Sequence, residues 1–116
     1  MPPGRMRRVD EAVRAVLGEA IAKGLRDPRV GFVTVTAVKT SPDLRHARVY
    51  VSVLGDPETR EASLAGLSSA RGYLQGVIAS ELTLKHTPAL SFEYDDSVDR
   101  GMRISELLHE QGEPDG

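Results

Sequence analysis

Residues 56–82 read DPETREASLAGLSSARGYLQGVIASEL, and the fold turns on how this stretch is interpreted. It opens as a helix. Asp56 can cap, Pro57 suits the first helical position because its missing N–H would find no partner there anyway, and Glu58 complements the helix dipole. Leu64, Leu67, Ala70, Leu74, Val77 and Ile78 then recur at helical spacing and define one buried stripe. The middle, Ser68-Ser69-Ala70-Arg71-Gly72, is poor helix material with Gly66 and Gly76 on either side, and each interior glycine costs about 1 kcal/mol relative to alanine. Either two short helices meet at a kink whose backbone is open to something outside, or one continuous helix uses its glycines to let a neighbour approach closely. Composition alone leaves both readings open.

On either side of this stretch the periodicity changes from helical to alternating. Upstream, Arg45 to Leu54 places Ala47, Val49, Val51 and Val53 on one face of a strand, with Arg45, Arg48 and Tyr50 elsewhere along it. Phe32 to Lys39 alternates in the same way, with Val33, Val35 and Ala37 against Thr34 and Thr36. The polar connection Thr40-Ser41-Pro42-Asp43-Leu44 is short enough to pair the two as an antiparallel hairpin. Downstream, Thr87-Pro88 breaks the chain and Ala89 to Asp95 alternates again, with Leu90, Phe92 and Tyr94 against Ser91, Glu93 and Asp95. A third strand that returns after a helical crossover suits parallel pairing with one hairpin strand, giving a mixed sheet with one face on helices and the other wet.

At the N-terminal side, Val9, Ala12, Val13, Val16, Leu17, Ala20 and Ile21 predict an amphipathic helix from about Arg5 to Lys23, stopped by Gly24. Arg26 to Gly31 then forms a loop, because Pro28 cannot continue a helix. Arg7, Arg8 and Arg14 lie off the apolar stripe. Arginines in a first turn oppose the helix dipole, a cost that a phosphate would offset, although ordinary surface arginines fit equally well. Val98, Met102, Ile104, Leu107 and Leu108 suggest a terminal helix over Ser97 to His109. The expected organisation is one domain over residues 5–110, between a flexible tail at 1–4 and a polar tail at 111–116.

Composition narrows the function classes. A chain of 116 residues with no tryptophan and 4% aromatics builds one core from Val, Leu, Ile and Ala. No run approaches the eighteen apolar residues of a membrane span, and MPPGRMRR lacks the apolar region of a secretory signal. The absence of cysteine excludes disulfide and thiolate chemistry and fits a cytoplasmic chain. Charge is uneven: residues 1–48 hold ten Lys/Arg against five Asp/Glu, a net of +5, whereas residues 50–116 net −7. Such asymmetry suits a polyanion partner for the first half, and it also suits two differently charged solvated faces. His46, His86 and His109 are scattered, with no nucleophile motif or metal-ligand spacing, so an enzyme is the poorest reading. Asp95, Ser97, Asp99 and Glu106 mimic a calcium loop, but the glycine needed at its sixth position is replaced by Arg100. No metal, cofactor or small-molecule substrate is expected.

The order helix, strand, strand, kinked helix pair, strand is that of a type II KH domain, an α+β RNA-binding fold. Several stretches resemble the bacterial ribosome-binding factor A family. They are Asp27-Pro28-Arg29-Val30-Gly31, Ser41-Pro42-Asp43-Leu44 leading into Ala47-Arg48-Val49-Tyr50-Val51-Ser52, the kink Ala70-Arg71-Gly72, Pro88-Ala89-Leu90-Ser91-Phe92, and Asp95 to Ile104. The resemblance implies a factor without catalytic chemistry that binds the free small (30S) ribosomal subunit late in its maturation. It also implies contact with 16S ribosomal RNA and support for processing of its 5′ end. A monomer is expected, and assembly GTPases are left open as further partners. Ordinary KH domains clamp the nucleic-acid backbone with a Gly-x-x-Gly loop. No two glycines of this chain are three apart, and the family's Ala-x-Gly kink stands in that place as Ala70, Arg71 and Gly72. This departure favours docking to folded rRNA.

Phosphate recognition calls for cations, and arginine's planar fork suits it best. The candidate RNA contacts are Arg7, Arg8, Arg45, Arg48, Arg71 and Lys85, with Ser69, Ala70 and Gly72 forming the kink that the backbone of the RNA would approach. Arg71 ranks first; its competing reading is a helix-surface arginine paired with an acid such as Glu81 or a neighbouring strand residue. The competing function is an α+β module for protein interaction or dimerisation that uses the exposed sheet face or an edge strand.

Overall fold

A computed structural model describes residues 3–97. Helix α1 (Pro3–Ala22) is followed by strands β1 (Val33–Thr40) and β2 (His46–Val53), helices α2 (Pro57–Ser69) and α3 (Arg71–Glu81), and strand β3 (Ala89–Tyr94). The sheet order is β1-β2-β3, with β1 antiparallel and β3 parallel to the central β2. This is the mixed three-stranded α+β arrangement expected from the sequence. Past Ser97, the expected terminal helix lies outside the described residues. Helix α1 begins at Pro3, earlier than expected, since proline is well suited to a first helical position. Among the described residues no helix is long and apolar enough to cross a membrane.

Alternation on β2 buries Ala47, Val49, Val51 and Val53 against Val13, Leu17 and Ile21 of α1, Leu67 of α2, and Leu74 and Ile78 of α3. Each fully buried Leu, Ile or Val side chain contributes roughly 1.5–3 kcal/mol, so this single apolar layer dominates stability. Because β3 runs parallel to β2, its connection must cross the sheet, and α2 and α3 supply the crossing. On the outer edge, Gln75 of α3 accepts a hydrogen bond from the Leu90 N–H at 3.1 Å, which ties α3 to the start of β3.

Strand β1 departs from the expected alternation. Val35 pairs with Val51 and Ala37 with Tyr50, so the intervening Thr36 is a bulge. One extra residue moves every later side chain to the opposite face. Val38 therefore enters the core where Ala37 was expected, and Lys39 turns to solvent. The freed Thr36 hydroxyl donates to Asp95 at 2.6 Å. Asp95 thus caps an inter-strand contact, while Asp99 and Glu106 of the calcium-like pattern lie outside the described residues.

The kinked reading of the central stretch holds and the single continuous helix does not, although one glycine does serve close approach. The helix breaks at Ala70, which closes α2 and opens α3 with φ −89° and ψ 5°. Its N–H still reaches Gly66 O at 3.1 Å and Leu67 O at 3.0 Å, so the break is a local change of course. Gly66, by contrast, serves close approach: a Cβ there would lie 2.6 Å from Val30 Cγ2 and 3.3 Å from Asp27 Cγ. A Cβ at Gly72 or Gly76 would meet nothing within 4 Å. Gly66→Val should therefore destabilise the protein by about 1–3 kcal/mol through overpacking. Gly76→Ala should be neutral or stabilising by up to about 1 kcal/mol. Urea unfolding midpoints at unchanged slope check the contrast, and equal effects of the two changes would contradict it.

Candidate nucleic-acid interface

The loop between α1 and β1 sets the position of the kink. Gly24 ends α1 with φ +99°, a conformation that side chains other than hydrogen rarely adopt, and its N–H donates to Ile21 O at 3.0 Å. The chain then lies along Ser63, Gly66 and Ser69, which share one side of α2 at a spacing of three. Ser63 is fully buried, yet its hydroxyl accepts from Gly31 N–H at 3.1 Å and donates to Arg29 O at 3.3 Å. Arg29 donates through Nε and its own backbone N–H to Asp27, each at 2.9 Å, and through Nη2 to Ser69 Oγ at 3.0 Å. The Arg29 guanidinium and then its backbone N–H hold the Asp27 carboxyl at about 2, well below the usual range. The residues leading into the kink are thus clamped before any ligand arrives.

A groove of about 620 Å³ opens where β1 ends and β2 and β3 begin. Lys39, His46, Arg48 and Arg71 line it, together with Ser41 and Ser91. Arg71 reaches it because it lies one helical turn before Gln75, the residue tied to β3. Lys39 and Arg48 are direct cross-strand partners on the open face. Like charges so placed repel one another, which a bound anion would reverse. Arg48 Nε lies 3.7 Å from Glu93, and both side chains are exposed. An ion pair this exposed gains little against solvent screening and side-chain entropy, too little to withhold Arg48 from a phosphate. Arg71 makes no ion pair among the described residues, and no side chain caps the N-terminus of α3. An anion at that end would meet favourable dipole charge.

The other expected contacts do not all converge. Arg45 is exposed beside the groove, and its carbonyl accepts from Ala89 N–H at 2.8 Å. Arg7 and Arg8 are exposed on α1, whose Asp10 accepts from Thr40 N–H at 2.9 Å and so brings that helix to the end of β1. Lys85 is exposed in the connection before β3, outside the groove lining. Ser69 and Ala70 line a second groove on the other side of the kink. Lys39 and His46 were not among the sequence candidates. Strict alternation would have put Lys39 on the core face with Val33, Val35 and Ala37, and only the Thr36 bulge reverses it. A hairpin pairing of Lys39 with Arg48 could have been drawn from the turn, had the bulge been visible.

The family model described as ribosome-binding factor A matches residues 5–108. The chain belongs to that family. A crystal structure of ribosome-binding factor A from Thermus thermophilus is 29% identical, with a TM-score of 0.68 over 77% of this chain and 94% of the other. A solution structure of a Thermotoga maritima protein described as a ribosome binding factor A is 37% identical, with a TM-score of 0.73 over 84% and 92%. A Thermus thermophilus homology model fitted into the cryo-electron-microscopy map of a complex of 30S with the factor is 30% identical, with a TM-score of 0.63 over 75% and 91%. These likenesses establish the KH-like fold. They also give the family's separated sequence stretches a physical meaning. Asp27 to Gly31 is the clamp, Ser41 to Leu44 is the hairpin turn that ends at His46, and Ala70 to Gly72 is the kink.

The clamp has a pH signature. Asp27 titrates near 3.8 when unperturbed and at about 2 in the folded chain, so its contribution to stability is complete above about pH 4 and lost as pH falls toward 2. The gap in thermal stability between wild type and Asp27→Asn should be full at pH 5 and shrink toward pH 2. A gap independent of pH would contradict the pairing with Arg29.

Proposed function

We propose that this chain binds the free small ribosomal subunit through 16S ribosomal RNA and supports late maturation and 5′-end processing of that RNA, with no reaction of its own. The observation that carries the proposal is the gathering of Arg71, Arg48, Lys39 and His46 on one groove beside the kink. Family membership and the 30S complex of the Thermus relative support the choice of target. The chain's net charge is −2, so long-range attraction to RNA is weak and binding must come from local cations. The groove supplies them on a preformed scaffold, since β1, β2 and α3 are each fixed by core contacts. With a kink in place of Gly-x-x-Gly, the surface suits the fixed phosphates of folded rRNA better than a clamped single strand. On this reading the protein acts in the cytoplasm as a monomer, and assembly GTPases working on the same particle are further partners.

A second reading has one observation in its favour. Phe32 and Leu54 are 80% and 74% exposed, and Leu54 N–H donates to Phe32 O at 3.0 Å at the sheet end opposite the groove. Two side chains fall short of the several hundred Å² expected of a protein-docking patch, so this reading ranks second.

Co-sedimentation with purified small subunits across a salt series tests the proposal. Wild-type affinity should fall steeply with salt. Arg71→Ala and the double changes Lys39→Ala/Arg48→Ala and Arg45→Ala/Arg48→Ala should lower the log–log slope by roughly 0.7–0.9 per lost phosphate contact. No binding of wild type at low salt would remove the subunit assignment. Unchanged slopes in every variant would move the interface elsewhere.

A further inference from the structure

The groove on the other side of the kink has a different character. It encloses about 500 Å³ and is lined by Leu25, Arg26, Gly66, Ser69, Ala70 and Tyr73. That volume lies within the ~300–1,000 Å³ range of sites that hold small ligands. Tyr73 is 63% exposed, a large aromatic surface left in water at the edge of a concave site. Asp27 also borders the groove, but its carboxylate is already held by Arg29. The uncompensated charge there is that of Arg26, which makes no ion pair among the described residues.

Tyr73 follows Arg71 by two residues, and a Cβ built on the intervening Gly72 would meet nothing within 4 Å. An RNA strand with a phosphate on Arg71 can therefore cross the bare backbone at Gly72 and reach Tyr73 with the adjoining nucleotide. We propose that Tyr73 stacks one unpaired base of the bound RNA in this groove, with Arg26 supplying a second cation and a planar guanidinium beside it. Splayed-out bases of RNA are recognised by stacking on aromatic rings and on arginine planes. An apolar peptide anchor would find little here beyond Leu25, Ala70 and the ring itself. The role differs from a Gly-x-x-Gly clamp, because one base is held and the neighbouring contacts go to phosphates of folded RNA. The inference rests on the RNA-binding reading above and adds the nucleotide that the kink selects.

The test compares wild type, Tyr73→Ala, Tyr73→Phe and Arg71→Ala on two targets, free small subunits and protein-free 16S rRNA. Tyr73→Ala should weaken binding to both by about 5- to 150-fold, the usual range for loss of a base–aromatic stack, while Tyr73→Phe stays within about twofold of wild type. Circular-dichroism melts confirm that each variant folds. The chain has no tryptophan, so Tyr73→Trp adds a lone fluorescent reporter, whose emission should be quenched when protein-free 16S rRNA binds. Wild-type affinity in Tyr73→Ala, or unchanged emission in Tyr73→Trp at saturation, would overturn the inference. So would a loss seen on subunits but absent on bare rRNA, which would make the occupant a ribosomal protein. If Arg71→Ala weakens binding and Tyr73→Ala does not, the proposed function stands and only the base site falls. If wild type binds neither target, the proposed function fails and the base site fails with it.

Discussion

Ala47, Val49, Val51 and Val53 of the central strand must all leave water on the same side of the sheet, and that requirement organises the molecule. A central strand with one apolar face can be satisfied by helices on that face alone, so α1, α2 and α3 all pack there. Parallel pairing of β3 with β2 then follows from the crossover that these helices provide. The opposite face is left with Thr34, Arg48, Ser91 and Glu93, which are exposed. At the end of the sheet where β1 stops and β2 and β3 start, that polar face meets the N-terminus of α3, and the basic groove lies at this junction.

Packing also explains why the helix breaks where it does. Small side chains at Ser63, Gly66 and Ser69 let the Asp27–Gly31 loop lie against α2, and the Asp27–Arg29 pair stiffens that loop. A glycine in a helix interior costs about 1 kcal/mol, a sum the Val30 contact and the satisfied Ser63 hydroxyl can offset. With α2 held up to Ser69 and α3 held from Gln75 by its bond to β3, the change of course is confined to the residues between them. Arg71, Gly72 and Tyr73 lie in that interval. The elements most exposed to a partner are thus fixed at both ends by contacts that face away from it, and little ordering is needed on binding.

Two grooves flank one kink, and they differ chemically. The first presents cations from three elements with hydroxyls between them, a surface for phosphate oxygens. The second presents an exposed ring, one guanidinium and a small apolar floor, a surface for a planar base. Ser69 and Ala70 border the second, and Arg71 borders the first. The Ala-Arg-Gly segment is therefore a ridge between unlike surfaces, a role that residue types alone do not reveal.

Much of this architecture was legible in the sequence, because periodicity and punctuation are local. Spacing of 3.6 along α1, alternation along β2 and β3, the stop at Gly24, the cap at Asp56 and the weak helix material at Ala70 each depend on residues within a few positions. Tertiary structure decided the rest. The bulge at Thr36 is tied to Asp95, 59 residues away, and it alone turns Lys39 out of the core face and beside Arg48. The role of Gly66 is set by a loop more than thirty residues earlier, and the place of Arg71 by the bond from Leu90 to Gln75. Local pattern fixes which face of an element is apolar. Which polar side chains meet across elements depends on register and long-range hydrogen bonds, and neither is written in the spacing of any one segment.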